Sequence, residues 1–442
     1  MRPVTPRGFR DVLSQEAAER EAVGRAMAEV MAGWGYGPVE TPAVEEFDVL
    51  EAGAGRLEGT AFRLFDLDGS LLALRPEMTV PIARLAATRL PEDGPHRLRY
   101  LAEVFREHAS LRGQSREFMQ VGAELIGANG PAADAEVAAV MVETLAASGL
   151  EDFMVAMGTV AVLHALLEAS AMPEEWRAAV LHAAHDRNLV ELDRLAGEAE
   201  VPSVVADALR TVPRLRGKAD AIEACREQVA ACGCGGALDD LAETWRILEA
   251  TGHAARVRVD FGVMRSFDYY TGLVLEAYAP GLGLPIGGGG RYDRLLGVFG
   301  APSPAAGFAL GLERVMVALA EAGAGVDVRG LDALVGGRDA ATVLAACSQL
   351  RAAGWRVRAC VGCAGLALVR DAESLDAQEA LLAEDGRLVR LDRAGEPALP
   401  LETPIPAPPT LTWAAEGERR GCGPGCDCTC GGAQDATGGD AR

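Results

Sequence analysis

The chain has 442 residues, of which 49% are hydrophobic, so two or three domains with a large buried core are expected. Its formal net charge of −22 repels phosphate backbones, which argues against a general nucleic-acid binder. No apolar run approaches the ~18 residues of a membrane span, and the first residues lack the apolar core of a secretory signal. Six of the ten cysteines are scattered along the chain, which is not the pattern of a disulfide framework. We therefore expect a cytoplasmic protein that does not contact a membrane.

The first 150 residues alternate helix and strand patterns. Two short apolar runs flank Asp68-Gly69, a dipeptide that tolerates the backbone of a tight turn and predicts a hairpin. A short strand broken by proline is predicted at Val39–Pro42, and further strands are predicted at Phe62–Asp66, Leu71–Arg75, Arg99–Phe105 and Phe118–Gly127. Helices are predicted at Gln15–Met31, Thr79–Leu90 and Asp134–Ser148.

The rest of the chain begins with a helical stretch and returns to mixed patterns. Leucine and alanine dominate from about residue 160 to residue 250, without a cluster of polar residues that would suggest catalysis. Further strands are predicted at Ala255–Asp260 and Leu273–Tyr278, and Gly307–Leu319 is predicted to be a strand that leads into a helix. Between them, the run Pro285–Arg291 contains four consecutive glycines. A short α/β unit follows, with a strand at Leu331–Val335, a helix at Ala340–Ala353 and a strand at Arg356–Cys360. The predicted domains are residues 1–325 with a helical insertion at about 160–250, residues 326–398, and residues 399–442 as a proline-rich linker and a disordered, cysteine-containing tail.

Polar residues stand in apolar surroundings at several points. Gln120 and Glu124 are four apart, so an extended strand places both on one face with Gly122 between them. Four positions offer carboxylate, amide and phenol groups: Glu77, Gln120, Glu124 and Tyr269 or Tyr270. Together these groups suit a ligand that carries an ammonium group and a polar ring. Arg106 and Arg265 suit a carboxylate or a phosphate, because a guanidinium can donate two parallel hydrogen bonds.

Each of these patterns also has a purely structural interpretation. Buried carboxylate–arginine pairs often only organise a core. The four glycines Gly287–Gly290 are typical of a tight strand bend more than of a phosphate loop, because the lysine and the hydroxyl residue of that loop are missing. Tyr269 and Tyr270 could simply be aromatic residues that pack within a sheet. The six histidines lack metal-ligand spacing, so we expect neither a histidine metal site nor a Ser/His/Asp triad.

The order of these segments resembles the catalytic domain of class II aminoacyl-tRNA synthetases, in particular the histidyl group. The resemblance covers residues 6–320 approximately. It rests on Gly35–Pro42 for the dimer-interface motif, Phe105–Gln120 for motif 2, Gly307–Arg314 for motif 3, and Arg265–Gly272 and Gly288–Asp293 for the histidine-specific segments. It implies an α+β fold with an antiparallel sheet flanked by helices, a homodimer and a histidine pocket.

Two families share that pattern: histidyl-tRNA synthetases and their non-synthetase relatives, the regulatory subunits of ATP phosphoribosyltransferase. Motif 2 separates them, because this chain has His108 where a synthetase has the glutamate that supports adenine recognition, and Gln114 where it has an arginine. Losing a charged contact to developing phosphate charge costs a synthetase on the order of 10²-fold in rate. Residues 74–84 and 116–127 also resemble the regulatory version. We therefore expect a regulatory subunit, with a histidyl-tRNA synthetase as the alternative and an amino-acid-dependent ligase that acts without tRNA as a third possibility.

Two further features bear on that choice. Arg314, the motif 3 arginine expected on ATP, is retained, which leaves residual nucleotide binding open. Residues 329–395 form a shorter unit than the anticodon-binding domain of the synthetase. They hold nine arginines against nine acidic residues and so offer no net positive surface for a tRNA stem.

The regulatory resemblance implies a protein without catalytic residues, metal or cofactor. Its partner would be the short-form catalytic subunit of ATP phosphoribosyltransferase, which it would make active and sensitive to L-histidine in the first step of histidine biosynthesis. A homodimer through the synthetase-like domain is implied, and binding of tRNA is not. The implied histidine site divides by the ligand group contacted: Glu77, Thr79 and Gln120 at the ammonium, Arg106 and Arg265 at the carboxylate, and Glu124 with Tyr269 or Tyr270 at the imidazole.

The last segment carries four closely spaced cysteines, Cys422, Cys426, Cys428 and Cys430. Four thiolates could bind zinc or copper(I), but structural zinc sites usually pair Cys-x₂₋₄-Cys units across a long separation. We expect a disordered tail without a preformed metal site.

Overall fold

The structure is a computed structural model that describes residues 4–54, 61–91, 94–107, 115–263, 270–326, 328, 330–384 and 387–401. The chain divides into two compact units, Met1–Val328 and Arg329–Arg442. The expectations for Arg265, Tyr269, His108 and Gln114 lie outside the described residues, as do those for the tail. Across the described part of the chain, no helix has the length and apolar character needed to cross a membrane.

The first unit contains helices and strands in alternation. Its helices are α1 (Ser14–Gly33), α2 (Phe47–Ala54), α3 (Thr79–Arg89), α4 (Pro131–Ala147), α5 (Ala161–Ala169), α6 (Glu174–His185), α7 (Leu189–Ala196), α8 (Ser203–Thr211), α9 (Ala219–Ala230), α10 (Asp239–Ala250) and α11 (Leu312–Glu321). Its strands are β1 (Gly37–Pro38), β2 (Val44–Glu46), β3 (Arg63–Phe65), β4 (Leu71–Leu74), β5 (His96–Phe105), β6 (Glu117–Ile126), β7 (Met154–Thr159), β8 (Arg216–Gly217), β9 (Val257–Asp260), β10 (Leu273–Tyr278), β11 (Gly287–Arg291) and β12 (Ala305–Gly311).

A nine-stranded sheet organises this unit, in the order β1-β5-β6-β12-β11-β10-β7-β9-β8. The strands from β5 to β7 in that order pair antiparallel, and parallel pairs join β1 to β5 and β7 to β9. Helices α1, α4 and α11 pack on the sheet, and their buried residues include Met27, Met141 and Val315. The predicted antiparallel sheet flanked by helices is therefore confirmed.

The long pair β5 and β6 forms the frame of the sheet. Ten residues of each strand pair in unbroken register, from His96 opposite Ile126 to Phe105 opposite Glu117. Residues 120–126 of β6 are all buried because neighbouring strands flank β6 on both edges and helices α1, α4 and α11 contact it. Both strands were predicted, although β5 begins three residues earlier than Arg99.

A small sheet, in the order β2-β4-β3, contains the predicted hairpin. Strands β3 and β4 pair antiparallel, and Gly69 in the turn between them has φ +89°, a conformation that favours glycine. The hairpin prediction is confirmed. The prediction of a strand at Val39–Pro42 was wrong, because β1 ends at Pro38 and only the Val39 amide continues the pairing, to the Arg99 carbonyl at 2.9 Å. The prolines of this segment lack the amide protons that a longer ladder would need.

The helical pattern predicted between residues 160 and 250 corresponds to the six helices α5–α10. Their apolar faces join the same core as the sheet, through residues such as Leu166, Leu195 and Trp245. The strand predicted at Leu273–Tyr278 is β10, with the same bounds.

The second unit is an α/β sheet with its own core. It contains β13 (Ala333–Gly337), α12 (Ala340–Ala352), β14 (Val357–Val361), α13 (Gly365–Ser374), β15 (Glu379–Glu384), β16 (Arg387–Leu391) and β17 (Pro397–Pro400). The sheet order is β14-β13-β15-β16-β17, with the first three strands parallel. The predicted strand–helix–strand unit is present, but its first strand lies two residues later than expected, and the sequence analysis missed α13 and the last three strands.

Candidate functional site

A pocket opens on the nine-stranded sheet near the middle of β6, β11 and β12. It encloses about 600 Å³ of empty space, part of it open to solvent. Sixteen residues line it, and the polar side chains among them come from Glu77, Thr79, Arg106, Gln120, Tyr270, Tyr292 and Arg314. We call this space the central pocket. Five of the eight residues of the predicted histidine site, Glu77, Thr79, Arg106, Gln120 and Tyr270, line it.

Glycines make room for the polar side chains of β6. A Cβ atom added to Gly122 would lie 2.3 Å from the Phe308 carbonyl oxygen and 2.3 Å from the Tyr100 hydroxyl. A Cβ atom on Gly307, which pairs with Glu124 across β6 and β12, would lie 1.7 Å from Oε2 of Glu124. The buried carboxyl group of Glu124 therefore occupies the space that a side chain at position 307 would need.

Glu124 is the sixth residue of the predicted site that the structure brings to the pocket region. Its side chain is 1% exposed. The Thr79 hydroxyl donates a hydrogen bond to Oε1 of Glu124, and the Tyr292 hydroxyl donates to Oε2. Burial raises the pKa of Glu124 to about 8, against the lowering effect of these two hydrogen bonds. At neutral pH the group is mostly protonated in this structure, so it can both donate and accept a hydrogen bond.

Glu77 also caps the start of α3, a role that was not predicted from the sequence. Its carboxylate accepts hydrogen bonds from the backbone amides of Thr79 at 2.6 Å and Val80 at 2.9 Å. These amides belong to the first turn of α3 and have no partner within the helix. Burial raises the pKa of the Glu77 carboxyl, while the two amides act in the opposite direction. Glu77 therefore lines the central pocket and holds the start of α3 at the same time.

Gln120 lies two residues before Gly122 on the same face of β6, as predicted. Its side chain is buried, and among the described residues its Oε1 atom has no hydrogen-bond partner. A buried acceptor without a partner costs about 1–3 kcal/mol, so a ligand that donates a hydrogen bond here gains that amount of stabilisation. Oε1 of Gln120 is therefore an acceptor that a ligand N–H group in the described part of the pocket can use.

Arg106 and Tyr270 complete the described part of the predicted site. Arg106 follows the end of β5, donates from Nε to the Pro76 carbonyl at 2.9 Å, and places its guanidinium 5.1 Å from the centre of the Phe118 ring. The Tyr270 ring packs on β11, where a Cβ atom on Gly290 would lie 2.8 Å from ring carbons. Both residues line the central pocket.

Tyr292 lines the central pocket but was not among the predicted site residues. It follows β11, and its buried hydroxyl contacts Glu124, which lies 168 residues earlier in the chain. The histidine-specific segment Gly288–Asp293 contained the signal, because it places a tyrosine two residues after the last glycine of the run, but the partner of that tyrosine depends on strand order.

Glu313 and Arg314, the charged pair at the start of α11, have different roles. Glu313 accepts a hydrogen bond from Arg20 at 2.6 Å and others from the Met119 amide, so it joins α11 to α1 and β6. Arg314 lines the central pocket and donates from Nη1 to the Pro285 carbonyl at 2.6 Å. Of these two residues, only Arg314 lines the central pocket.

Comparisons with known proteins agree with this architecture. The family model described as "Histidyl-tRNA synthetase" matches residues 8–315. A structure from Bacillus halodurans, described as an ATP phosphoribosyltransferase regulatory subunit/histidyl-tRNA synthetase, is 30% identical, with a TM-score of 0.76 over 87% of this chain and 98% of that chain. Histidyl-tRNA synthetase from Nostoc sp. PCC 7120 is 22% identical, with a TM-score of 0.71 over 90% of this chain and 96% of that one, and shows the shared fold alone.

Proteins of similar sequence distinguish between the two families that share this fold. The ATP phosphoribosyltransferase regulatory subunit of Moorella thermoacetica is 41% identical over 394 residues, which are 88% of this chain and 98% of that protein. The regulatory subunit of Symbiobacterium thermophilum is 39% identical over 371 residues, 80% of this chain and 91% of that protein. Fold and pocket together define a protein of the histidyl-tRNA synthetase-like branch of the class II synthetase fold. Within that branch, the chain belongs to the family of ATP phosphoribosyltransferase regulatory subunits.

Proposed function

We propose that this chain is a non-catalytic, histidine-sensing subunit of an ATP phosphoribosyltransferase. It would act in the cytoplasm on a short-form catalytic subunit, in the first step of histidine biosynthesis. The observation that carries the proposal is the similarity to the Moorella thermoacetica regulatory subunit, which extends over 98% of that protein. A match of this extent covers the second unit as well as the synthetase-like unit.

The central pocket supports histidine as the ligand. Gln120 offers a buried acceptor to an ammonium group. Glu124, buried and hydrogen-bonded to the lining residues Thr79 and Tyr292, offers a carboxyl oxygen as an acceptor for an imidazole N–H, and Tyr270 adds an aromatic wall to the pocket. All three groups suit a small zwitterion with a polar ring.

The carboxylate of the ligand would meet Arg106, whose guanidinium lines the same pocket. Arg265 and Tyr269 belong to the proposed site through the family resemblance. Thr79 acts through Glu124 in this arrangement, because its hydroxyl already donates to that carboxyl group. Glu77 remains in the proposed site at the ammonium side, with its amide contacts to α3 unchanged.

The absence of catalysis is proposed from motif 2. His108 and Gln114 stand where a synthetase uses a glutamate and an arginine on ATP. The balance of nine arginines and nine acidic residues in residues 329–395 supports a second unit that does not bind tRNA.

Homodimerisation through the synthetase-like unit is proposed from Gly35–Pro42, which contains β1 at the edge of the sheet. An unpaired strand edge is a site at which two chains can meet.

Co-expression with a short-form ATP phosphoribosyltransferase catalytic subunit tests the proposal. The catalytic subunit alone is expected to be inactive. With this chain it should form phosphoribosyl-ATP, and added L-histidine should inhibit the reaction. A chain that neither associates with the catalytic subunit nor changes its activity would disprove the proposal.

A further inference from the structure

Two cysteines of the second unit lie at the junction between a strand and a helix. Cys360 is in β14, and Cys363 lies between β14 and α13. They form a disulfide across a sequence separation of 3, with their Cα atoms 5.5 Å apart. The spacing of the cysteines predicted no disulfide framework, and this pair was not among the predicted sites. Neither the central pocket nor the proposed function uses it.

The backbone holds the two cysteines close together whether or not the sulfur atoms are bonded. The Cys363 amide donates to the Cys360 carbonyl at 3.1 Å, and the Gly362 amide donates to the Gly337 carbonyl of β13 at 2.8 Å. Gly362 has φ +86°, which a residue with a side chain rarely adopts. A Cβ atom on Gly336 would lie 2.5 Å from the Cys363 carbonyl oxygen, so the turn rests directly on the neighbouring strand. The site is therefore preorganised for bond formation.

The bond contributes little as a structural link. A disulfide stabilises mainly by closing a loop in the unfolded chain, and its effect is smallest for short loops such as this one. Both cysteines are half-buried, and Val361 between them is 50% exposed. A small reagent can therefore approach the pair, and accessible disulfides are the ones that exchange.

The surroundings of the sulfur atoms bear on their reactivity. Cys363 lies two residues before the first residue of α13, and both sulfur atoms lie close to a side chain of that helix. Oδ2 of Asp371 lies 3.8 Å from each sulfur atom, and its negative charge disfavours a thiolate. Loss of the Asp371 charge should therefore make the reduced pair more nucleophilic.

We propose that Cys360-Val361-Gly362-Cys363 is a thiol–disulfide exchange site that reacts with low-molecular-weight disulfides and thiols. In the oxidising direction, one cysteine thiolate attacks a small disulfide, forms a mixed disulfide and releases one small thiol. The other cysteine, as its thiolate, then attacks the mixed disulfide, forms the Cys360–Cys363 bond and releases the second small thiol. Two electrons pass from the cysteine pair to the small disulfide, and the two cysteine protons end on the released thiols.

Thiol trapping on the full chain tests this proposal. The protein is equilibrated in mixtures of reduced and oxidised glutathione, quenched in acid and alkylated. Cleavage after Arg358 and Arg370 places both cysteines in one peptide, Ala359–Arg370. The disulfide form of that peptide is lighter than the dithiol by two hydrogen atoms and carries no alkyl groups. Its fraction is expected to rise with the proportion of oxidised glutathione in a single two-electron transition.

Variants separate the pair from its surroundings. Cys363→Ser should abolish the light peptide and leave Cys360 alkylated or bound to glutathione. In the reduced protein, Asp371→Asn should speed the reaction with iodoacetamide several-fold at neutral pH. Glu373→Gln, an exposed residue on the same helix, is the matched control and should leave the rate unchanged.

Three results would overturn the proposal. The peptide could stay fully oxidised in native protein at every glutathione ratio, which would make the bond structural. Cys360 or Cys363 could be linked to a cysteine of another peptide. Finally, equimolar Zn²⁺ could protect both reduced cysteines from alkylation, which would make Cys360, Cys363 and Asp371 a metal site.

Discussion

The hydroxyl of Thr79, at the start of α3, donates a hydrogen bond of 3.0 Å to Oε1 of Glu124, in the middle of the nine-stranded sheet. This contact joins a helix that follows the small sheet to a buried carboxyl group, and Thr79 itself lines the central pocket. Glu124 thereby holds its position before any ligand is bound, with Tyr292 on its other oxygen.

Replacing Glu124 with alanine should weaken histidine binding. The change removes a charged or hydrogen-bonded contact worth about 1.5–3 kcal/mol, which corresponds to a roughly ten- to hundred-fold loss of affinity. Isothermal titration calorimetry measures it directly. Glu249→Ala, at an exposed position of α10, is the matched control. Unchanged affinity in the Glu124 variant would place the histidine site elsewhere.

The pH dependence of stability should carry the signature of Glu124. The folded-state pKa of about 8 lies above the usual value of 4.5, so the folded chain retains a proton that the unfolded chain has lost. The stabilisation from this group is fully present below pH 4.5 and is lost as pH rises through 8. Glu124→Gln cannot ionise, so its melting temperature should rise relative to the parent protein between about pH 5 and about pH 9.

Thermal unfolding of both proteins across that range measures the difference. Glu249→Gln provides the comparison for a surface carboxylate and should track the parent at every pH. A constant offset between Glu124→Gln and the parent would mean that Glu124 titrates normally in the folded protein.

Gly307→Ala should disrupt the pocket through steric contact alone. The new Cβ atom would lie 1.7 Å from the Glu124 carboxylate and 2.6 Å from the Ala123 carbonyl oxygen, so both must move. We expect a loss of stability of about 1–3 kcal/mol and a loss of histidine binding. Gly33→Ala is the control, because a Cβ atom there meets nothing within 4 Å. Denaturant unfolding and calorimetry of the two variants should differ clearly, and equal behaviour would refute the steric argument.

Pocket variants should lose histidine sensitivity and keep assembly. A ligand shifts an equilibrium only through its different affinities for the two states, so weaker binding in the pocket weakens inhibition. Gln120→Met and Tyr270→Phe should still activate the catalytic subunit but need roughly 5- to 150-fold more histidine for inhibition. The readouts are inhibition curves and size-exclusion chromatography of the reconstituted complex.

A chain that ends before Glu416 is the control for this experiment. The removed segment is poor in apolar residues, so both assembly and inhibition should be unchanged. Variants that dissociate from the catalytic subunit while binding histidine normally would show that Gln120 and Tyr270 serve assembly.

The purified protein should not exchange pyrophosphate into ATP in the presence of histidine, nor attach histidine to tRNA. The reason is the substitution of His108 and Gln114 for two residues that contact ATP in synthetases. A histidyl-tRNA synthetase assayed in parallel supplies the positive control. Exchange at a comparable rate would favour the synthetase alternative.

The sequence predicts local features of this protein well. The hairpin at Asp68-Gly69, the bounds of β10 and the shared face of Gln120 and Glu124 all follow from turn chemistry and from the two-residue period of a strand. The sequence does not reveal contacts that depend on strand order. Tyr292 reaches Glu124 because β11 and β6 both flank β12. The contacts of Glu77 with the amides of Thr79 and Val80 are local, and the predicted helix start at Thr79 contained the signal for them.

The four glycines of β11 have a consequence for how the sheet loses its order. All of them are buried, yet none has a side chain to pack, so this part of the strand depends on its hydrogen bonds to β10 and β12, while Arg291 at the end of β11 is anchored by an ion pair with Asp134. Glycine also gains the most backbone freedom when released. Loss of either neighbouring strand would therefore remove half of the hydrogen bonds that hold these glycines. Because Gly287, Gly288 and Gly289 also line the central pocket, we expect a ligand bound there to slow hydrogen exchange of the β11 amides.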